Sequence, residues 1–301
     1  MSHTLKDVYA SVTNKIITAL ESGTPPWVHP WQAGAGDLCP VNLSSGRRYR
    51  GINVLLLNMT AMERGYSLNR WLTFQQARAL GGHVRKGEQG AEVVLFKMLE
   101  REGDKPDSDR KVIPLIRSFT VFNADQIADM PEALLPAPSV VHEWRACEAA
   151  EAILATSGAN LAYGGVRALY SPSMDLILMP ERSSFESATG FYQVALHELT
   201  HWTGAPNRCN RPLLGRQHIE SYAFEELVAE MGSAFLTDHC AMPGVLQHAA
   251  YIESWLTALR NDQQLILAAA AQAQRAADYL LPPLAEEAQT AEVPMREREA
   301  A

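Results

Sequence analysis

Apolar residues recur at helical spacing near the start of the chain. Val8, Val12, Ile16, Ile17 and Leu20 share one face of segment 5–22, which predicts an amphipathic helix. The run Thr24-Pro25-Pro26-Trp27-Val28-His29-Pro30-Trp31 cannot continue it, because proline removes a donor and pushes its predecessor out of the helical region. A second helix is predicted over about 53–64. After Trp71, Thr73 has N-cap chemistry for a short helix that stops at Gly81-Gly82. Two strand-like stretches follow, Ala91–Leu99 and Val112–Asn123, with polar Glu102–Arg110 between them as a hairpin loop. Segment 131–141 carries three prolines within eight residues and reads as an extended spacer. Beyond it the pattern predicts a helix at 142–156, strands at 166–171 and 175–179, and helices at 187–203, 219–240, 245–259 and 262–281. The expected fold class is therefore α+β in two domains. An α+β domain spans 1–130, a linker 131–141 and a mainly helical domain 142–281, with a disordered Pro-, Ala- and Glu-rich tail over 282–301.

Composition sharpens this division. The 301 residues are 47% hydrophobic and 20% charged, enough for a sizeable core. No apolar run approaches the eighteen or so residues needed to span a bilayer, so no membrane partner is expected. The first residues lack the basic-then-apolar order of a secretory signal. Cys39, Cys147, Cys209 and Cys240 are scattered without a C-x-x-C pair, which argues against a disulfide scaffold and fits a reducing cytoplasm. The net charge of −8 hides an asymmetry: residues 1–123 hold 16 Lys+Arg against 11 Asp+Glu, and residues 124–301 hold 10 against 23. The basic half points toward a polyanionic partner.

In the acidic half, His197-Glu198-Leu199-Thr200-His201 falls on a predicted helix. Positions i and i+4 share a face, so His197 and His201 can offer their rings to one cation. Glu198, one step round, is placed to act as general base, which is the chemistry of the H-E-x-x-H zinc motif. Catalytic zinc usually takes a third protein ligand and keeps one open position. The segment Tyr222–Glu230 supplies carboxylates: Glu226 is the favoured ligand and Glu230 the favoured partner of a ligand histidine's other ring nitrogen. Glu225 is the main alternative ligand, and His218 a weaker one. The cofactor expected is Zn2+, with Mn2+ or another divalent transition metal as the alternative. Strand 175–179 just before the metal helix resembles the arrangement of zincin folds, which implies an edge strand that binds peptide beside that helix.

In the basic half, positive charge interleaves with aromatics: Trp27, Trp31, Arg47-Arg48-Tyr49-Arg50, Arg70-Trp71, Phe74 and Arg85-Lys86. Single-stranded nucleic acid binds by this pairing, with cations tracking phosphates and bases stacking on rings. The plain alternative is that tryptophans beside prolines plug a core and scattered arginines form a solvated face. Asn53 and Asn58, with Val54-Leu55-Leu56-Leu57 between, read as core. No phosphate-loop motif suggests an ATPase.

Five segments taken together resemble the N-terminal domain of ArdC-type antirestriction proteins and related TraC primases of conjugative plasmids. They are Pro25-Pro26-Trp27 with Pro30-Trp31, Gly46-Arg47-Arg48-Tyr49-Arg50-Gly51-Ile52-Asn53, Trp71-Leu72-Thr73-Phe74-Gln75-Gln76-Ala77, Val84-Arg85-Lys86-Gly87-Glu88 and Val121-Phe122-Asn123. The His197–His201 motif with Glu225-Glu226-Leu227-Val228-Ala229-Glu230 resembles the zincin-like metallopeptidase domain joined to it in that family. The resemblance implies a single-stranded DNA-binding domain fused to a metal-binding domain, and protection of incoming plasmid DNA from restriction during conjugation. The implied DNA-binding residues are Trp27, Trp31, Arg47, Arg48, Tyr49, Arg50, Arg70, Trp71, Arg85 and Lys86. A protein substrate, such as a host restriction component, is the other implied partner. A pure single-stranded DNA-binding protein with a structural metal is the competing expectation.

Overall fold

The structure, a computed structural model, describes residues 5–22, 39–101, 111–131, 143–164, 167–213, 219–242 and 252–281. Trp27, Trp31, His218, the expected hairpin loop, nearly all of the expected linker and the tail lie outside the described residues.

The first helix, α1 (Leu5–Glu21), buries Val8, Val12, Ile16 and Leu20 on the face that the spacing predicts. A four-stranded sheet follows, built from β1 (Val41–Asn42), β2 (Arg70–Leu72), β4 (Ala91–Arg101) and β5 (Lys111–Asn123) in the order β1-β2-β5-β4. β4 and β5 form the long antiparallel ladder expected, from Ala91↔Val121 to Arg101↔Lys111. The helix α2 (Ile52–Arg64) lies beside β4, the sheet's outer strand. From its first turn Asn53 donates Nδ2–H to Val94 O at 2.8 Å and accepts Val94 N–H at 2.7 Å, so one side-chain amide satisfies both backbone groups. The short helix α3 (Phe74–Ala79) starts in a capping box: Thr73 Oγ1 accepts Gln76 N–H, and Gln76 Oε1 accepts Thr73 N–H. Two small strands, β3 (His83–Val84) and β6 (Ile127–Ala128), pair antiparallel.

The second half contains α4 (Glu143–Thr156), a three-stranded sheet, and α5 (Ala188–Trp202), α6 (Ile219–His239), α7 (Ile252–Asn261) and α8 (Leu265–Leu280). In the sheet, β7 (Asn160–Tyr163) and β8 (Leu169–Ser171) flank β9 (Leu176–Met179) in the order β7-β9-β8. β9 is thus the central strand, and the expectation of an edge strand over 175–179 is corrected: that place belongs to β8. Its partner β7, unread in the sequence, pairs parallel to β9 and takes the other margin.

Helix α6 is buried at every position from Glu225 to Asp238. Its contact with α5 is close because Gly232 has no side chain: a Cβ there would lie 2.5 Å from Thr200 Cγ2. One core cluster runs from α1 and α2 through α4, α5, α6, α7 and α8, so the two halves share apolar interior. Polar bonds cross the same boundary, including Thr13 Oγ1–H to Gln263 O at 2.6 Å and Gly51 N–H to Gln274 Oε1 at 2.9 Å.

Candidate metal centre and nucleic-acid surface

Ser187 opens α5 by accepting Gly190 N–H at 3.0 Å, and the helix then turns His197 and His201 toward α6. The rings of His197 and His201 meet edge to face with centroids 4.8 Å apart. Both Nε2 atoms face one carboxylate: His197 Nε2 is 3.6 Å from Glu226 Oε2 and His201 Nε2 is 3.8 Å from Glu226 Oε1. One ligand atom from each of His197, His201 and Glu226 lies within 4.8 Å of the others. Distances of 3.6–3.8 Å are too long for good hydrogen bonds, and two nitrogens with one carboxylate oxygen make a donor set suited to a divalent transition metal. The residues therefore fit such an ion.

The Nδ1 atoms point to two other carboxylates. His201 Nδ1 is 3.1 Å from Glu225 Oε1, and His197 Nδ1 is 3.8 Å from Glu230 Oε1. Glu230 thus stands beside His197. Glu225 is placed beside the other histidine and clear of the cluster formed by His197, His201 and Glu226, so the geometry favours it as a histidine-orienting group over its alternative role as ligand. Glu225, Glu226 and Glu230 are each 7% exposed or less, which no helix tolerates without close compensation. Burial opposes protonation of His201, but its bond to Glu225 and the nearby carboxylates of Glu226 and Glu198 outweigh this and raise its pKa to about 10. Burial likewise pushes the Glu226 carboxyl up, and His197 and His201 together hold it well below the usual carboxylate range.

Glu198 accepts the backbone N–H of Tyr170 through Oε2 at 2.7 Å. Tyr170 belongs to β8, so the margin of the small sheet runs beside the proposed base. Sequence reasoning missed a further buried group, Arg211. Its guanidinium donates Nε–H to Glu225 Oε2 at 2.9 Å and Nη2–H to Glu225 Oε1 at 2.8 Å. An arginine ten residues past the motif, outside any regular element, carries no periodic signal.

The comparisons bear on both halves. A family described as zincin-like metallopeptidase matches residues 148–272, and the N-terminal domain of anti-restriction factor ArdC matches residues 6–122. The crystal structure of metal-free antirestriction ArdC protein from R388 plasmid is 41% identical, with a TM-score of 0.75 over 91% of this chain and 96% of that one. The chain belongs to the ArdC antirestriction family. A Mn(II)-bound structure of the same R388 protein is 42% identical, again with a TM-score of 0.75, over 91% of this chain and 97% of that one. The protein y4eC of Sinorhizobium fredii is 38% identical, covering 91% of each chain. Two Escherichia coli DNA primases TraC are 38% and 40% identical over 93% and 92% of this chain, which spans only 28% and 20% of their lengths. The α+β layout expected from the sequence is that of the ArdC structures.

The basic half departs from expectation at two residues. Trp71 is fully buried, and its Nε1–H goes to Asn69 Oδ1 at 2.7 Å, so it presents no face to a base. Arg70 is only 9% exposed. Both sit on β2, an inner strand between β1 and β5, where tertiary cover overrides the aromatic-basic pattern. Arg47, Arg48, Arg50, Arg85 and Lys86 are exposed, and Tyr49 is half-buried with its hydroxyl accepting from Asn42 Nδ2. Some of these cations already have partners. Arg50 pairs with Asp278, and Arg85 lies 3.1 Å from Glu88 Oε1. Arg48 Nη1 lies 3.4 Å from His239 Nδ1, whose pKa burial and then the Arg48 charge hold below the ordinary value.

Exposed aromatics stand elsewhere on the same sheet. The register sets Leu95 opposite Arg117 and Val93 opposite Phe119, so Leu95, Arg117 and Phe119 share a face. Leu95 is 47% and Phe119 44% exposed, and Arg117 is exposed as well. No helix among the described residues is long and apolar enough to cross a membrane.

Proposed function

We propose that this protein is an antirestriction factor that holds single-stranded DNA on its basic half and carries a zinc-type peptidase centre in its acidic half. It would act on plasmid DNA entering by conjugation, in the cytoplasm. The observation that carries the catalytic part is the convergence of His197 Nε2 and His201 Nε2 on Glu226, with Glu198 beside them. A bound Zn2+, or Mn2+ in its place, would supply Lewis acidity toward a substrate carbonyl and toward water. Glu198 would serve there as the general base, the group that accepts a proton and can hand it to a leaving amine. Glu225 bonds the His201 ring at Nδ1 and Glu230 faces Nδ1 of His197, an arrangement that suits Nε2 pointing inward on both. The β8 margin lies where an extended peptide can lie alongside Glu198, which supports a protein substrate such as a restriction component.

For the DNA part, the support is the charge balance of residues 1–123 and the mixed face of Leu95, Arg117 and Phe119. Exposed rings beside cations on a sheet suit unpaired bases. Arg47, Arg48, Arg50, Arg85 and Lys86 then track phosphate, alongside Trp27, Trp31 and Tyr49.

A second reading has one observation in its favour. Because Glu198 accepts the Tyr170 N–H, the proposed base is tied to β8, as a purely structural metal site would permit. Replacing Glu198→Ala separates the two. Under the proposal, metal and DNA binding persist, while protection of incoming plasmid in a conjugation assay falls toward that of a strain lacking the protein. Undiminished protection by this variant gives the result to the structural-metal reading.

A further inference from the structure

We infer that Arg211 is a positioning residue for the metal centre, acting through Glu225 on His201. The inference rests on the metal-centre reading and extends it to a residue outside both metal helices. Arg211 is 5% exposed, and its guanidinium bonds serve this corner of the molecule. Two go to Glu225 in the side-by-side geometry that fixes a carboxylate plane. The others close the end of the metal helix: Nη1–H to Thr203 Oγ1 at 2.8 Å and Nη2–H to Thr200 O at 2.7 Å. Arg211 therefore joins the end of α5, which carries His201, to the turn of α6 that carries Glu225 and Glu226.

The backbone leaves room for it. A Cβ on Gly204 would lie 3.1 Å from Arg211 Nη2, 3.0 Å from His201 O and 2.6 Å from Leu213 Cδ2. Gly204 O also accepts the Arg211 backbone N–H at 2.9 Å, which returns the chain under the helix end. Held in this way, Glu225 Oε1 stands 3.1 Å from His201 Nδ1, which turns Nε2 toward the ligand cluster. His201 is backed by a carboxylate at 3.1 Å that is itself clamped by an arginine.

The test is a titration of metal-stripped protein with Zn2+ or Mn2+ against a competing chelator, together with melting of the metal-free form. R211M and E225Q are expected to lose metal affinity by about ten- to a hundredfold, with R211K recovering part of the loss because it keeps the charge but not the paired donors. Wild-type affinity in R211M and E225Q would overturn the inference and leave Arg211 as a helix-end brace. If R211M does not fold, R211K and E225Q decide on the same scale. A wild-type protein that takes up neither ion removes the metal centre itself, a different failure from variants that match a metal-binding wild type.

Discussion

The metal face between α5 and α6 and the basic surface of the first half treat charge in opposite ways. At the metal face Glu225, Glu226, Glu230 and Arg211 are withdrawn from water and answer to partners at fixed distances. At the basic face, Arg47, Arg50, Arg85 and Lys86 stand in solvent, where an ion pair such as Arg50–Asp278 carries little energy. Buried ionised groups cost several kcal/mol each unless compensated, so their retention on one helix marks a site built for an ion. Exposed cations cost almost nothing to keep, and their grouping alone says far less about what they bind.

The comparison can be broken first at the residue that the sequence placed on the wrong side of it. Trp71→Ala is expected to destabilise the fold by about 3–5 kcal/mol, the range for emptying an aromatic core site, measured by denaturant unfolding. A variant as stable as wild type would return Trp71 to the surface. At the metal face, Glu226→Ala should lower metal affinity by more than about a hundredfold, beyond the span of outer-sphere losses, in the same chelator competition. Phe119→Ala should weaken single-stranded DNA binding by about 1–3 kcal/mol, with the melting temperature nearly unmoved. Binding equal to wild type would take the sheet face out of the DNA reading.

A fourth expectation concerns pH. The His201 pKa is raised in the folded metal-free protein, from 6.5 to about 10. The stability linked to its proton is therefore fully present below about pH 6.5 and is lost as pH rises toward 10. The melting temperature of the metal-free protein should fall across that window, and the metal-loaded protein should lack this fall because the cation replaces the proton. The smallest effect belongs to the surface. Asp278→Asn, which removes the partner of Arg50, should change stability by about 0–1 kcal/mol.

What could be read in the sequence follows from the same contrast. The H-E-x-x-H spacing and the Glu226 to Glu230 interval were legible because helix geometry alone puts those groups on a common face. Thr73 and the long β4–β5 pair were legible for similarly local reasons. Arg211 was not, since it reaches Glu225 through an irregular segment whose path depends on Gly204 and the end of α5. Nor was the inner place of β2: three residues, Arg-Trp-Leu, show no period, and only pairing with both β1 and β5 covers them. The margin of the small sheet was misplaced because strand order is a long-range property, and β7 supplied a neighbour for β9 that its few residues did not announce.

The amide of Asn53 has a consequence for how molecules of this protein meet one another. An outer strand with open backbone groups invites a strand from another chain to dock, the first step toward aggregation. At Val94 both groups are already engaged by a side chain imitating the missing neighbour, in the stretch just before exposed Leu95 and Phe96. Asn53 thus closes the two Val94 groups through which a strand of another copy would dock.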